Sequence, residues 1–455
     1  MSAPLARPAG ASRLLPIVAI VAAAIIRAAA LGMGSANLAD DRDDYVAVAR
    51  HYADEGFWNP FVGIPNSFRP PLFPLVVAAI LKAGGGSAVL GLLQLALGTA
   101  TVALTWHIGR RLGLGWLSAV AAGLVALDPL LIEYTTFPMT ETLFTFLVAL
   151  LVAVATPNGS KPVNQSQTQW PTLLRAAEIG AVFGACALCR PTIWPVVGLA
   201  AFWLLWRSRR TRGRGRELLW AGTVASLALA AVVSPWVLRN WKLLGSPVLT
   251  TTHGGYTLLL GNNEAYFQQV AARPLMEEWQ DRRPDRFQRA WFRDLVADMS
   301  REIGPGADEM VQDRWMYRRA WRDIAGEPRL FLRACLLRFA EFWNVLPLPP
   351  SRSAISSIVV WGLGAGYSIE LALFLVGLGT LFRHRNDRWD DRWILPLLLI
   401  LNFTLVHLFY WSNMRMRAPL IPLIALVAAR GIGAAFDLVN RGRRDPSSAV
   451  VSEQR

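Results

Sequence analysis

The chain has 455 residues, 53% of them hydrophobic, with a formal net charge of +14 and a mean hydropathy of +0.33. That apolar content exceeds what one or two soluble cores could bury, so the composition is that of a membrane protein. The positive charge would suit nucleic acid, but lysine occurs only at Lys82, Lys161 and Lys242. The arginines cluster beside apolar segments, as the positive-inside rule expects, and no nucleic-acid partner is read from them.

Ten apolar stretches are read as crossings, in chain order 16–34, 87–108, 114–132, 140–155, 173–188, 193–206, 218–238, 355–382, 393–410 and 420–436. At about 20 residues per crossing they take roughly 200 positions and leave more than half the chain for loops and extramembrane structure. The first stretch follows Arg7 and Arg13, and Arg27 interrupts it just where a small-residue cleavage site would fall, so a retained helix is expected. With the amino terminus in the cytoplasm, Arg110, Arg111, Lys161 and the runs at 207–216, 383–392 and 441–444 all fall inside. The run at 70–81 is short and opens with two prolines; counting it as a crossing would invert every later side, so it is read as an interfacial or re-entrant segment at the outer surface.

After the first crossing comes Asp40-Asp41-Arg42-Asp43-Asp44-Tyr45, leading into a helical stretch at 45–55 whose Val46, Ala49 and Tyr52 share a face. For Asp43 and Asp44 the plain reading is helix capping. Asp41 lies further from the expected cap, and a carboxylate at a water-facing cleft can accept a proton from a hydroxyl nucleophile. Asp41-Arg42-Asp43 is also formally a D-x-D, by itself a weak pointer to a divalent cation.

Arg69-Pro70-Pro71-Leu72-Phe73-Pro74 is a stiff turn carrying a guanidinium at head-group level, where its planar fork can grip phosphate. Glu133, Glu141, Arg190, Arg239, Arg415 and Arg417 stand at ends of crossings assigned to the same outer side, where topology does not call for positive charge. Snorkelling to lipid head groups is the alternative for each arginine. Cys186 and Cys189 lie one helical turn apart in an apolar stretch and read as small packing residues. The stretch 157–170, rich in Asn, Gln, Ser and Thr, reads as an inner linker.

The second outer segment, 239–352, is of mixed charge with tryptophans and helical periodicity around 308–342. It contains His253-Gly254-Gly255-Tyr256 and Gly261-Asn262-Asn263, whose His and Asn can hydrogen-bond sugar hydroxyls, a turn-rich loop being the alternative. The other histidines are too scattered to suggest a metal cluster.

In order and on a common side, these residues resemble the integral-membrane GT-C glycosyltransferases, specifically the family 39 group of protein O-mannosyltransferases and lipid A aminoarabinose transferases. The resemblance runs over about 17–433. It rests on Asp41 four residues before Tyr45, Arg69-Pro70-Pro71-Leu72-Phe73-Pro74, Pro138-Met139-Thr140-Glu141, Arg190-Pro191-Thr192, Pro235-Trp236-Val237-Leu238-Arg239-Asn240, Gly261-Asn262-Asn263 and Arg415-Met416-Arg417-Ala418-Pro419. It implies an all-α polytopic bundle of about ten crossings, with interfacial helices and a mostly helical outer region. The membrane domain would fill 1–436, with outer loops at 35–86 and 239–352, and 437–455 would form a basic cytoplasmic tail.

The resemblance further implies transfer of a sugar from a polyprenyl-phosphate carrier to a glycan, lipid or protein acceptor on the outer face of the inner membrane. Asp41 would be the general base, with Asp43 as its alternate. Arg69, Arg239 and Arg415 or Arg417 would hold the carrier phosphate. Glu141, Arg190, His253, Asn262 and Tyr45 would contact substrate. Some relatives bind a divalent cation; this chain offers no clear ligand set, so no metal is assigned. The main competing function is a transporter or flippase, although no internal repeat is visible and the polar residues gather at helix ends. A non-catalytic binding protein on the same scaffold is a second alternative.

Overall fold

The computed structural model describes residues 11–61, 66–157, 173–210, 215–272, 284–346, 356–383 and 390–444. These residues form helices and connecting turns, with no strand among them. The expected 157–170 linker lies almost wholly outside the described residues, as does the last part of the tail.

Helix α1 (Ala11–Met33) leads into the short helix pair α2 (Tyr45–Asp54) and α3 (Leu72–Lys82). Then follow α4 (Ser87–Arg111), α5 (Leu117–Leu127), α6 (Pro129–Tyr134), α7 (Thr140–Ala155), α8 (Leu173–Cys189), α9 (Trp194–Arg210) and α10 (Gly215–Leu244). The segment expected outside folds as α11 (Gly254–Gly261), α12 (Pro284–Ile303), α13 (Glu309–Gly326) and α14 (Pro328–Phe342). Helices α15 (Ser357–Arg383), α16 (Ile394–Phe409) and α17 (Ile421–Arg444) complete the bundle, and a 3₁₀ segment, Met414–Leu420, leads into α17.

All ten expected crossing segments fall on helices, and six helices among the described residues have the length and apolarity to cross a membrane, so the chain is a multi-pass membrane protein. At about 1.5 Å per residue the 11-residue α3 extends roughly 17 Å. That is too short for a hydrocarbon core of about 30 Å, and α3 instead packs against α2.

One expected crossing, 114–132, needs correction because it is two helices. Asp128 is extended at ψ 118° ahead of Pro129, and its carboxylate accepts from the Leu131 amide at 2.9 Å. A residue before proline is pushed out of the helical region and proline supplies no amide, so the apolar run breaks there and restarts with its own cap.

A large apolar core runs through the bundle from α1 to α17, and two smaller ones lie among α11–α14. Glycines set the closest approaches of the large core. A Cβ at Gly180 in α8 would stand 2.0 Å from the Ala225 carbonyl oxygen of α10, and one at Gly377 in α15 would stand 2.0 Å from the Val427 oxygen of α17. Such small-residue contacts are how helices approach closely in lipid. Gly180→Leu is therefore expected to separate α8 from α10 and cost about 1–3 kcal/mol or more, read as a lowered Tm in detergent; an unchanged Tm would remove this contact from the packing account.

The two loop regions are sewn together. The Arg239 guanidinium of α10 donates from Nε to the Phe57 carbonyl at 2.5 Å and from Nη1 to the Asn66 carbonyl at 3.1 Å, inside a box of Tyr52, Phe57, Phe61 and Trp236 rings. Ser67 donates to Asn240 Oδ1 at 2.7 Å, while the Ser67 amide and the Thr252 hydroxyl both donate to the Glu309 carboxylate. These bonds fix the stretch that presents Arg69.

Candidate functional site

Helix α2 begins after an unusual turn. Asp44, at φ 58°, is in the left-handed region and makes no side-chain cap. The cap comes from Asp41, whose Oδ1 accepts from the Val46 amide at 3.1 Å and Oδ2 from the Ala47 amide at 2.8 Å. The capping expectation for Asp43 and Asp44 is thus reversed: Asp41 satisfies the free amides of the first turn, and Asp43 is left free to point elsewhere. The buried face of α2 is Tyr45, Val48, Ala49 and Tyr52, with Val46 only partly covered.

Asp43 points into a cluster of arginines. Its Oδ2 accepts from Arg415 Nη2 at 2.9 Å and its Oδ1 lies 3.7 Å from Arg69 Nη2. Arg415 also donates from Nε to Glu141 Oε1, and the same oxygen accepts from Arg190 Nη2 at 2.6 Å. Arg190 further donates to Thr140 Oγ1 at 2.8 Å. The parts come from α2's leading turn, the Arg69 turn, the start of α7, the end of α8 and the 3₁₀ segment before α17. Pro191 stops α8 immediately after Arg190, and Asn413 caps the 3₁₀ segment by accepting from the Arg415 amide.

Three guanidiniums therefore face two carboxylates, leaving one positive charge over. Glu141 is 0% exposed and its Oε2 is sealed without a hydrogen-bond partner, as is Arg69 Nε. Burial disfavours the ionised form of Asp43, but Arg415 and Arg69 outweigh it and hold the carboxyl below its usual range. An excess of charge-fixed donors, partly exposed and backed by a dry carboxylate, is suited to an anionic oxygen ligand such as phosphate. It is poorly suited to a divalent cation, which the guanidiniums would repel, and no group of three or more metal-ligating side chains occurs among the described residues.

Tyr45 lies beneath Arg69 at 5.4 Å and meets Phe73 edge-on. His253 stacks on Tyr256 at 5.2 Å and touches Phe68 at 4.2 Å, beside the Arg69 turn. Burial, and then the Arg69 charge, push the His253 imidazole down to about 3, with Asp43 opposing. It is neutral at every physiological pH. Because the unfolded histidine takes up a proton near 6.5 and the folded one does not until about 3, its burial contributes stability that is complete above pH 6.5 and is lost as pH falls towards 3. His253→Gln is expected to flatten the fall of Tm between pH 6.5 and 4; an unaltered slope would place the imidazole in contact with water.

Three of the expected site residues lie away from the arginine cluster. Arg239 is fully buried, donates from Nε and Nη1 to loop carbonyls and Asn240 while its Nη2 is sealed without a partner, and so organises the loop between α2 and α3 away from the cluster. Asn262 is also fully buried: its Nδ2 donates to Leu258 and Phe409 carbonyls and its Oδ1 accepts from Arg338, which makes it a brace between α11, α14 and α16. Arg417, two residues from Arg415, points away to Tyr367 and the Phe342 carbonyl. Sequence reasoning missed Tyr134, whose ring lies 5.5 Å from the Arg415 guanidinium. It also missed Thr140 as the Arg190 partner, although Thr140 stood in the Pro138–Glu141 motif.

No protein-family model matches the chain, and no curated protein matches its sequence. Among solved structures it is similar to the archaeal oligosaccharyltransferase AglB from Archaeoglobus fulgidus in complex with an inhibitory peptide and a dolichol-phosphate, at 14% identity, with 94% of this chain and 51% of that chain covered and a TM-score of 0.50. A second structure, the Archaeoglobus fulgidus oligosaccharyltransferase tethered with an acceptor peptide containing the NVT sequon, is 12% identical, with 95% and 51% covered and a TM-score of 0.48. The chain spans about half the length of these proteins. The likeness to the first is one of fold, and it places the chain among all-helical, polytopic membrane proteins of GT-C architecture.

Proposed function

We propose that this protein is a membrane glycosyltransferase that takes a sugar from a polyprenyl-phosphate carrier and passes it to a hydroxyl acceptor, a glycan, lipid or protein, on the outer face of the inner membrane. The observation that carries this reading is the convergence of Arg69, Arg190 and Arg415 on Asp43 and Glu141 at one end of the bundle. A carrier tail can stay among the helices while its phosphate meets charges held at helix ends. The fold likeness to an enzyme in complex with dolichol-phosphate supports the same class of ligand.

In this mechanism the phosphate docks on Arg69 and Arg415, which Asp43 now occupies. Glu141 keeps Arg190 and Arg415 in place and supplies no proton. Displaced from its ion pairs, Asp43 regains basicity beside the anomeric carbon and takes the acceptor hydroxyl's proton. The acceptor oxygen bonds to C1, the C1–O bond to phosphate breaks, and its electron pair goes to the phosphate oxygen, whose charge the guanidiniums stabilise. Attack opposite the departing phosphate inverts the anomeric centre. Asp41, the base implied by the family resemblance, instead holds the turn that presents Asp43.

Binding of polyprenyl phosphate to the purified protein in nanodiscs, followed by native mass spectrometry, tests the reading without turnover. Arg69→Gln is expected to weaken that binding about tenfold, the scale of one charge-assisted hydrogen bond. Equal binding by the variant would send the phosphate elsewhere.

A further inference from the structure

Arg417 belongs to a second polar group that the arginine cluster does not use. Its guanidinium lies 5.3 Å from the Tyr367 ring, and it lines a cleft with Asp128, Trp343, Tyr367, Glu370 and Ile421. The cleft sits between the break of α5 and α6, the end of α14, the flank of α15 and the first turn of α17. It is thus at the same end of the bundle as Arg415, on the other side of the 3₁₀ segment. Its free volume is about 20 Å³, enough for one hydroxyl or water-sized group.

The donors and acceptors there are mixed. Asp128 is satisfied, by the Leu131 amide at 2.9 Å and the Tyr367 hydroxyl at 3.1 Å. Glu370 is not: its Oε1 is sealed from solvent and has no hydrogen-bond partner. A buried carboxylate oxygen in an apolar helix asks for a donor. An anion at this place would meet two carboxylates. A cation would meet Arg417, with the Arg27 guanidinium close by on the Val125 and Ala126 carbonyls. A neutral hydroxyl both donates and accepts, and it satisfies Glu370 without adding charge. Trp343, Tyr367 and Leu371 line the cleft and give the carbon skeleton that carries the hydroxyl an apolar contact. On the same helix α15, Trp361, Ile369 and Leu375 are large, apolar and well exposed.

We infer that this cleft binds the neutral, hydroxyl-bearing head group of a membrane amphiphile at a site separate from the arginine cluster. One hydroxyl of the head donates to Glu370 and accepts from Arg417, while the chain lies along the lipid-facing flank of α15. Both a glycosyl head and a glycerol head carry this chemistry.

The test is photolabelling of the full chain in nanodiscs. Three amphiphiles with the same diazirine-bearing dodecyl chain are compared, one with a glucoside head, one with a glycerol head and one with a phosphocholine head. Either hydroxylated probe is expected to label peptides covering 358–376 or 417–424 about tenfold more than the phosphocholine probe, the scale of a hydrogen bond to a buried carboxylate. Preference between the two identifies the head as sugar or glycerol. Glu370→Gln, and independently Leu371→Trp, which fills the cleft, should abolish the preference, while phosphocholine labelling of α10 stays unchanged as a sign of an intact bundle. Added polyprenyl phosphate should not compete. Equal labelling by all three heads, persistence of the preference in both variants, or displacement by polyprenyl phosphate would overturn the inference. No turnover is involved, so the result is independent of the transferase reading.

Discussion

Arg415→Gln is expected to lower turnover of a polyprenyl-phosphate sugar by about 10²–10³-fold, the range seen when a preorganised donor to a developing oxyanion is removed. Arg415 is the one residue of the cluster that touches both carboxylates, through Nη2 to Asp43 and Nε to Glu141. Its loss therefore removes a phosphate donor and also frees Asp43 from its position. Arg415→Lys should restore only a small part of the rate, because an ammonium is a point charge and cannot span two carboxylates with a planar fork. The fold should survive in both variants, since Glu141 retains Arg190. Glu141→Gln differs: it removes the buried carboxylate that Arg190 and Arg415 share and should cost about 3–5 kcal/mol, as other broken buried pairs do. Initial rates of product formation alongside thermal unfolding separate the two outcomes; a near-native rate for Arg415→Gln would detach the cluster from the chemistry.

Asp43→Asn should cost about 10²–10⁴-fold in turnover, the usual contribution of a positioned general base. Asp41→Ala should act through structure. It removes the acceptor for two amides of α2 and should lower stability by about 0.5–2 kcal/mol, with a loss of rate no larger than the displaced turn accounts for. Measuring both variants at equal folded concentration decides between the two aspartates. If Asp41→Ala were the dead enzyme and Asp43→Asn an active one, the base would be Asp41, as the family resemblance implies, and Asp43 only a counter-ion.

The bundle was legible because lipid demands long apolar runs, and because arginine runs mark their ends. The break at Asp128–Pro129 was visible as a residue-before-proline signal, yet the surrounding apolar run concealed it. The division of roles, Asp41 as cap and Asp43 as arginine partner, was not legible: it depends on Asp44 adopting a left-handed backbone, which four neighbouring acids do not disclose. The arginines show the same limit. At three residues per turn, residues two apart on a 3₁₀ segment point about 240° apart, so Arg415 joins Glu141 while Arg417 joins Tyr367. Arg239 reads in sequence like any helix-end cation, and only the loop folded around it reveals that carbonyls and rings consume it. Acids inside apolar stretches, Asp128 and Glu370, were the available signal for the second cleft.

The most direct measurement places the purified protein in liposomes containing a polyprenyl-phosphate sugar labelled in the sugar, together with extracted membrane acceptors, and follows where the label goes. The account predicts that label becomes covalently attached to acceptor with stoichiometric release of polyprenyl phosphate, and that Arg415→Gln nearly abolishes both. Label that stays on its carrier and only changes side of the bilayer would contradict it.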